Sequence, residues 1–232
     1  DRRIPGAVTG VDLRQMKDEL TAMVRFARDG GLAKEPKFDE VPRLTREVKD
    51  IAFSGDGEPT MINNVADSVE AVVDVTQAEG LERTRIVLIT DAAGLDKGDV
   101  KRGLEVMARN NGEIWGKLEA GTEEYLKLVK RSNVKFERIL NNLLETSKVR
   151  PIIIQSLFFK VHGEAMSEAE LEAYCGRVRD ITDGGGQIRE VHLYTVARPT
   201  PETYATKLEA IELKQMADMI RERAQLAVSV FP

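Results

Sequence analysis

Short apolar runs, each followed by a stretch at helical spacing, constrain this chain more than any other feature of its sequence. They begin near residues 50, 85, 113, 151 and 189. The clearest, Arg85-Ile86-Val87-Leu88-Ile89-Thr90, lacks polar alternation, as expected of a strand buried on both faces. Strand–helix units repeated in this way predict an α/β fold whose parallel strands are joined by right-handed crossovers. Periodicity leaves open whether the sheet is a partial barrel or doubly wound.

The remaining pattern fills in the helices. Leu13, Met16, Leu20, Met23, Val24 and Ala27 recur at helical spacing until Gly30-Gly31. Residues 30 to 47 are polar and contain Pro36 and Pro42, predicting a long surface connection before a strand at 49–54. Further helices are expected at about 62–79, through Asp99 to Met107, and after Thr122. Others are expected through Phe136 to Leu144 with Ser132 or Asn133 as cap, after Ser167, and over Tyr204–Gln225. Strands are expected at 85–90, 113–119, 151–159 and 189–195.

With 42% hydrophobic residues, the 232-residue chain supplies the core of a single large domain spanning 1–232. Its 34 Lys and Arg against 39 Asp and Glu give a net charge of −5, which disfavours a uniformly basic, nucleic-acid-coating surface. One cysteine excludes an internal disulfide framework. No apolar run of about 18 residues and no signal-like start is present, so a cytoplasmic protein without a membrane partner is expected.

The first predicted strand runs into Ser54-Gly55-Asp56-Gly57-Glu58-Pro59-Thr60. A loop at the C-terminal end of a parallel strand is where α/β folds place ligands. Gly55 and Gly57 let a ligand approach the main chain, and Glu58 can accept charge-assisted hydrogen bonds from an ammonium group. Pro59 restricts Glu58 to extended backbone, which aims its side chain. On these residues alone, the alternative is a glycine-rich turn with a solvated glutamate.

Gly57-Glu58-Pro59 resembles the Gly-Gly-Glu-Pro motif of radical SAM enzymes, with Asp56 in place of the first glycine. Val48 to Phe53, Lys117-Leu118-Glu119-Ala120-Gly121-Thr122, Ile153 to Phe158 and Leu193 to Pro199 resemble, in order, an Fe–S oxidoreductase subgroup that includes wyosine-type tRNA modification enzymes. The resemblance implies a partial (β/α)6 barrel whose first strand and cluster loop precede Asp1. It implies that Gly55, Gly57, Glu58, Pro59 and Thr60 bind S-adenosylmethionine through its amino group. Lys117 and Glu119, two apart on one strand face, become candidates for its carboxylate and ribose, or for pairing with one another. Gln155, a polar break in an apolar strand, and Thr90 with Asp91, where look-alikes carry Thr-Asn, join the cofactor-binding set.

Such enzymes hold a 4Fe–4S cluster on Cys-x3-Cys-x2-Cys, whereas this chain has only Cys175, so the cluster cysteines are expected before Asp1. The complete protein would reductively cleave S-adenosylmethionine, with an electron donor such as a flavodoxin or ferredoxin, to start radical chemistry on an unknown substrate. The alternatives are a non-catalytic small-molecule or RNA-binding module derived from the fold, and a metal-independent enzyme using Glu58 as acid or base.

His192 and Tyr194 share a strand face, and His192 reads as a hydrogen-bonded structural residue. His162 lies in a charged loop without a partner evident from sequence. Lys127, Lys130, Arg131, Lys135 and Arg138 surround Phe136 and would suit RNA phosphates, but interspersed glutamates favour a solvated helix surface. Trp115 is expected between strand and helix, Cys175 in the core, and Met16, Met23, Met216 and Met219 on core faces.

Overall fold

The computed structural model describes residues 10–38, 47–55, 57–130, 133–198, 200 and 202–232. Its strands are β1 (Asp50–Phe53), β2 (Arg85–Thr90), β3 (Gly112–Lys117), β4 (Ile152–Leu157), β5 (Lys160–Val161), β6 (Ile188–Tyr194), β7 (Ala205–Thr206) and β8 (Val228–Phe231). Its α-helices are α1 (Leu13–Arg28), α2 (Val65–Ala78), α3 (Gly98–Arg109), α4 (Glu123–Val129), α5 (Phe136–Val149), α6 (Glu168–Asp183) and α7 (Ala210–Ala224). Six strands form a parallel sheet in the order β1-β2-β3-β4-β6-β8, while β5 and β7 pair as a separate antiparallel ribbon. The order never reverses, so the sheet has no topological switch point and is not doubly wound.

The sixth strand is β8, where the sequence reading placed the sixth before Asp1. Nothing in the sequence marks the end of α7 as a helix stop: Gln225 itself takes the left-handed conformation, at φ 55°, that glycine usually supplies. The chain then turns directly into Val228–Phe231.

The chain forms two compact units, one comprising residues 1–88 and 96–113, the other residues 89–95 and 114–232. In the first, α1 packs on α2 and α2 on α3. α2 buries Val65, Val69, Val72, Val73 and Val75. It starts at Val65 rather than near 62, where the Asp99 carboxylate accepts from the amides of Val65 at 2.6 Å and Ala66 at 3.3 Å. Contrary to expectation β1 is not buried: Asp50 and Ala52 are exposed and Ile51 and Phe53 half-buried, as suits the sheet's edge strand. Met23 is also exposed rather than core.

In the second unit, one sheet face carries the buried Leu118, Ile152, Ile154, Ser156, Val191 and Leu193. There Gly116 lies so close to α5 that an added Cβ would sit 2.4 Å from Leu143 Cδ2, and the Ser156 hydroxyl meets Tyr174 of α6 at 2.7 Å. The opposite face is half-buried and presents Trp115, Lys117, Gln155, Glu190, His192 and Tyr194. Trp115 therefore does not pack between strand and helix as expected: its odd place in β3 turns it away from α5.

Strand β3 stops at Lys117, short of the expected 119. Thr122 and Ser167 cap α4 and α6 as expected, accepting from Tyr125 N at 3.2 Å and Glu170 N at 3.2 Å. α5 begins after Lys135 without a side-chain cap. Ser132 lies outside the described residues. α7 starts at Ala210, not Tyr204, because Ala205–Thr206 pair with β5 and Glu209 with Glu212 forms a capping box.

Candidate functional site

In the first unit, the loop after β1 begins with Gly55 at φ +154°, a conformation side-chain-bearing residues rarely adopt. Asp56 lies outside the described residues. Gly57 needs no such dispensation and has nothing within 4 Å of where a Cβ would stand. Glu58 is extended, with φ −90° and ψ 115°, as the following proline requires. Its Oε1 accepts from Thr60 N at 3.2 Å and from Thr60 Oγ1 at 2.7 Å, capping the 3-10 turn Pro59–Met61. Thr60 is fully buried, and its carbonyl accepts from Lys97 Nζ at 2.9 Å. The loop is thus a fixed turn with a backbone-accessible glycine beside a carboxylate. A surface hollow lined by Lys49, Gly80, Arg83, Thr84 and Asn111 opens at the other, N-terminal end of these strands and contains none of the predicted site residues.

In the second unit, Thr90 and Asp91 are buried and shape the turn after β2. Thr90 Oγ1 accepts from Ala92 N and Asp91 Oδ1 from Ala93 N, both at 3.0 Å, around Ala92 at φ 64°. Asn142 of α5 donates to the Ala92 carbonyl at 2.8 Å.

Lys117 and Gln155 are register partners across β3 and β4. Neither side chain has a hydrogen-bond or ion-pair partner among the described residues. Glu119 does not pair with Lys117; its partner is Lys130, at 3.6 Å, with side-chain exposures of 14% and 15%. Nearby, burial first and the Glu119 charge second push the Tyr194 phenol far above its ordinary range.

The segment bearing Glu119 is clamped from α6 by residues that sequence reasoning did not nominate. The buried Glu170 carboxylate accepts from Gly121 N at 2.6 Å, Thr122 N at 3.0 Å and Thr122 Oγ1 at 2.7 Å. Gly121 is pressed so close to α6 that a Cβ would stand 2.1 Å from Tyr174 N. Ser156 donates to the Leu118 carbonyl at 2.7 Å. The signal available for Glu170 was Ser167-x-x-Glu170, which reads as a capping box; the glutamate side chain serves the neighbouring loop instead.

His192 is hydrogen-bonded, in agreement with its structural reading. Its Nε2 lies 3.1 Å from Glu190 Oε1, and Ser229 Oγ donates to Glu190 Oε2 at 2.6 Å. The Ser229 bond, followed by His192, holds the Glu190 carboxyl below its usual range despite opposing burial. Trp115 and Phe231 flank the imidazole edge-on, with ring centroids at 5.0 and 5.3 Å. His162 is exposed, at φ 52°, and stacks on Tyr204 at 5.2 Å.

The basic stretch near Phe136 does not form a stacking platform, because Phe136 is buried and Lys127 pairs with Glu123 at 3.2 Å. Arg131 lies outside the described residues. Cys175 is buried in α6, and burial pushes its thiol up to about 11. Among the described residues, no three His, Cys, Asp or Glu side chains are placed to hold a metal ion, and no helix is long and apolar enough to cross a membrane.

No protein-family profile matches the chain, and no curated protein matches it.

Proposed function

We propose that this chain is the S-adenosylmethionine-binding domain of a radical SAM Fe–S oxidoreductase, which in the complete protein acts on an unidentified substrate. The observation that carries this reading is Gly57-Glu58-Pro59 at the C-terminal end of a parallel strand, with open space over Gly57 that the fold's own packing does not require. Strand order without reversal suits a partial barrel. A strand preceding β1 would make seven, with β8 as an addition.

S-adenosylmethionine fits the donor set. Glu58 accepts from its ammonium; a carboxylate has about four acceptor positions, so the two Thr60 bonds do not exhaust it. Lys117 suits its carboxylate, and Gln155 or Glu119 its ribose hydroxyls. When bound, the cofactor supplies the radical; these residues bind and orient it. The 4Fe–4S cluster does not fit the residues present, since a cluster needs several thiolates and the sole cysteine is buried within α6. That single cysteine favours a second reading, a non-catalytic small-molecule-binding module.

Calorimetric titration with S-adenosylmethionine tests the proposal. Wild-type chain binds, and Glu58→Gln binds about tenfold more weakly or worse with its fold intact, since one charge-assisted hydrogen bond is lost. Unchanged affinity in the variant removes Glu58 from the site. No binding by the wild type sinks the cofactor reading.

A further inference from the structure

Gln155 on β4 has Lys117 of β3 and His192 of β6 as register partners, and His192 has Ser229 of β8. Partners in a parallel ladder point to the same side, so these four polar side chains form one row on the face opposite α5 and α6. Trp115, Ile153, Leu157 and Phe231, two residues before or after on the same strands, border the row with apolar surface.

Along this row, polar groups are half-buried and unsatisfied. The Lys117 ammonium and the Gln155 amide have no side-chain partner among the described residues. Because the Glu190 carboxylate only accepts, His192 Nε2 carries the proton shared with it, which leaves Nδ1 of the neutral ring as an acceptor without a described partner. Half-buried polar groups of this kind are costly unless something pairs with them.

We infer that the row Lys117–Gln155–His192 binds a small molecule bearing a carboxylate or phosphate, with the anion on Lys117 and a proton-donating group at the other end on His192. The outer columns are two interstrand spacings apart, roughly 10 Å, which fixes the ligand's length. Gln155 hydrogen-bonds its middle. His192 Nδ1 accepts the proton; Glu190 stabilises the resulting imidazolium, and Ser229 holds Glu190 in place. The titratable groups facing His192 are Glu190 and Tyr194 on β6 and Glu113 and Lys117 on β3, while β4 and β8 present the neutral Gln155 and Ser229. This inference shares Lys117 and Gln155 with the cofactor reading but not Glu58, so the two fail separately.

Trp115 is the only tryptophan, and its ring lies 5.0 Å from that of His192, so its emission reports on the row. The full chain is titrated with S-adenosylmethionine as the carboxylate probe and ribose 5-phosphate as the phosphate probe, across a range of pH around neutrality. One probe is expected to change Trp115 emission saturably. Lys117→Met should then weaken that probe about 10- to 100-fold, the worth of one charge-assisted hydrogen bond. His192→Gln should remove the pH dependence of binding, and Glu190→Gln should move it to lower pH, because the imidazolium loses its counter-charge. Circular dichroism and continued protection of Cys175 from thiol reagents establish that each variant is folded; Gln155→Leu, with an expected loss of several-fold, supplies a second test if Lys117→Met fails to fold. Failure of both probes to bind, wild-type affinity in folded Lys117→Met, or pH dependence surviving His192→Gln overturns the inference. S-adenosylmethionine binding that is lost in Lys117→Met but kept in Glu58→Gln upholds it while sinking the cofactor reading.

Discussion

Replacing Glu170 by alanine removes the acceptor for Gly121 N, Thr122 N and the Thr122 hydroxyl in one step. A buried donor left without an acceptor costs about 1–3 kcal/mol. Gly121 is fully buried and Thr122 half-buried, and the hydroxyl can rotate to another partner, so a loss of about 3 kcal/mol is expected. Against a typical stability of about 5–15 kcal/mol that is a large share. Glu170→Gln should cost only about 1 kcal/mol: the amide oxygen still accepts from both backbone groups, its NH2 donates to Thr122 Oγ1, and only charge assistance is lost. Urea unfolding followed by Trp115 emission reads the unit that contains the change, with an unchanged slope excluding effects on the denatured state. A cost below about 1 kcal/mol for alanine, or equal costs for alanine and glutamine, would refute the clamp.

Three other expectations are simpler to test. The Glu190 carboxyl, held below its ordinary 4.5 chiefly by Ser229, contributes stability above that value and loses it as pH falls through the lower folded value; the urea midpoints of wild type and Ser229→Ala should therefore differ at neutral pH and converge in acid. Cys175, buried and pushed up to about 11, should react with a thiol reagent at mildly alkaline pH only as fast as the chain unfolds. Thr60→Val removes the 2.7 Å hydroxyl bond to Glu58 and keeps the amide bond, so it should cost about 1 kcal/mol of stability and weaken S-adenosylmethionine several-fold through the lost aim of Glu58.

Strand–helix alternation was legible because a parallel strand must be apolar where helices cover it and each crossover helix must show its own period; β2, β4 and β6 lie close to their expected positions. Strand β8 was not, because a left-handed glutamine ends α7 where a glycine would have announced the stop. Exposure of β1 was hidden for a related reason: Ile51 and Phe53 look like core, and only the strand order makes them edge. At the site, spacing correctly put Lys117 at the end of a strand but could not find Glu170, Glu190 or Ser229, whose partners lie on other elements.

The structure also divides each motif into residues the fold needs and residues it does not. In Lys117-Leu118-Glu119-Ala120-Gly121-Thr122, Leu118 and Ala120 are buried, Gly121 is forced by the approach of α6, and Thr122 both caps α4 and binds Glu170. Packing explains those four, and Lys130 accounts for Glu119. Lys117 remains without a structural task among the described residues. In Ser54-Gly55-Asp56-Gly57-Glu58-Pro59-Thr60, Gly55 is required by its φ, Pro59 opens the 3-10 turn and Thr60 is buried beneath it. Gly57 has neither a special φ nor a crowding neighbour. A motif letter that packing demands would persist in any protein with this fold, so it says little about ligands. Gly57, Lys117 and Gln155 are the letters packing does not demand, and a functional reading has to rest on them.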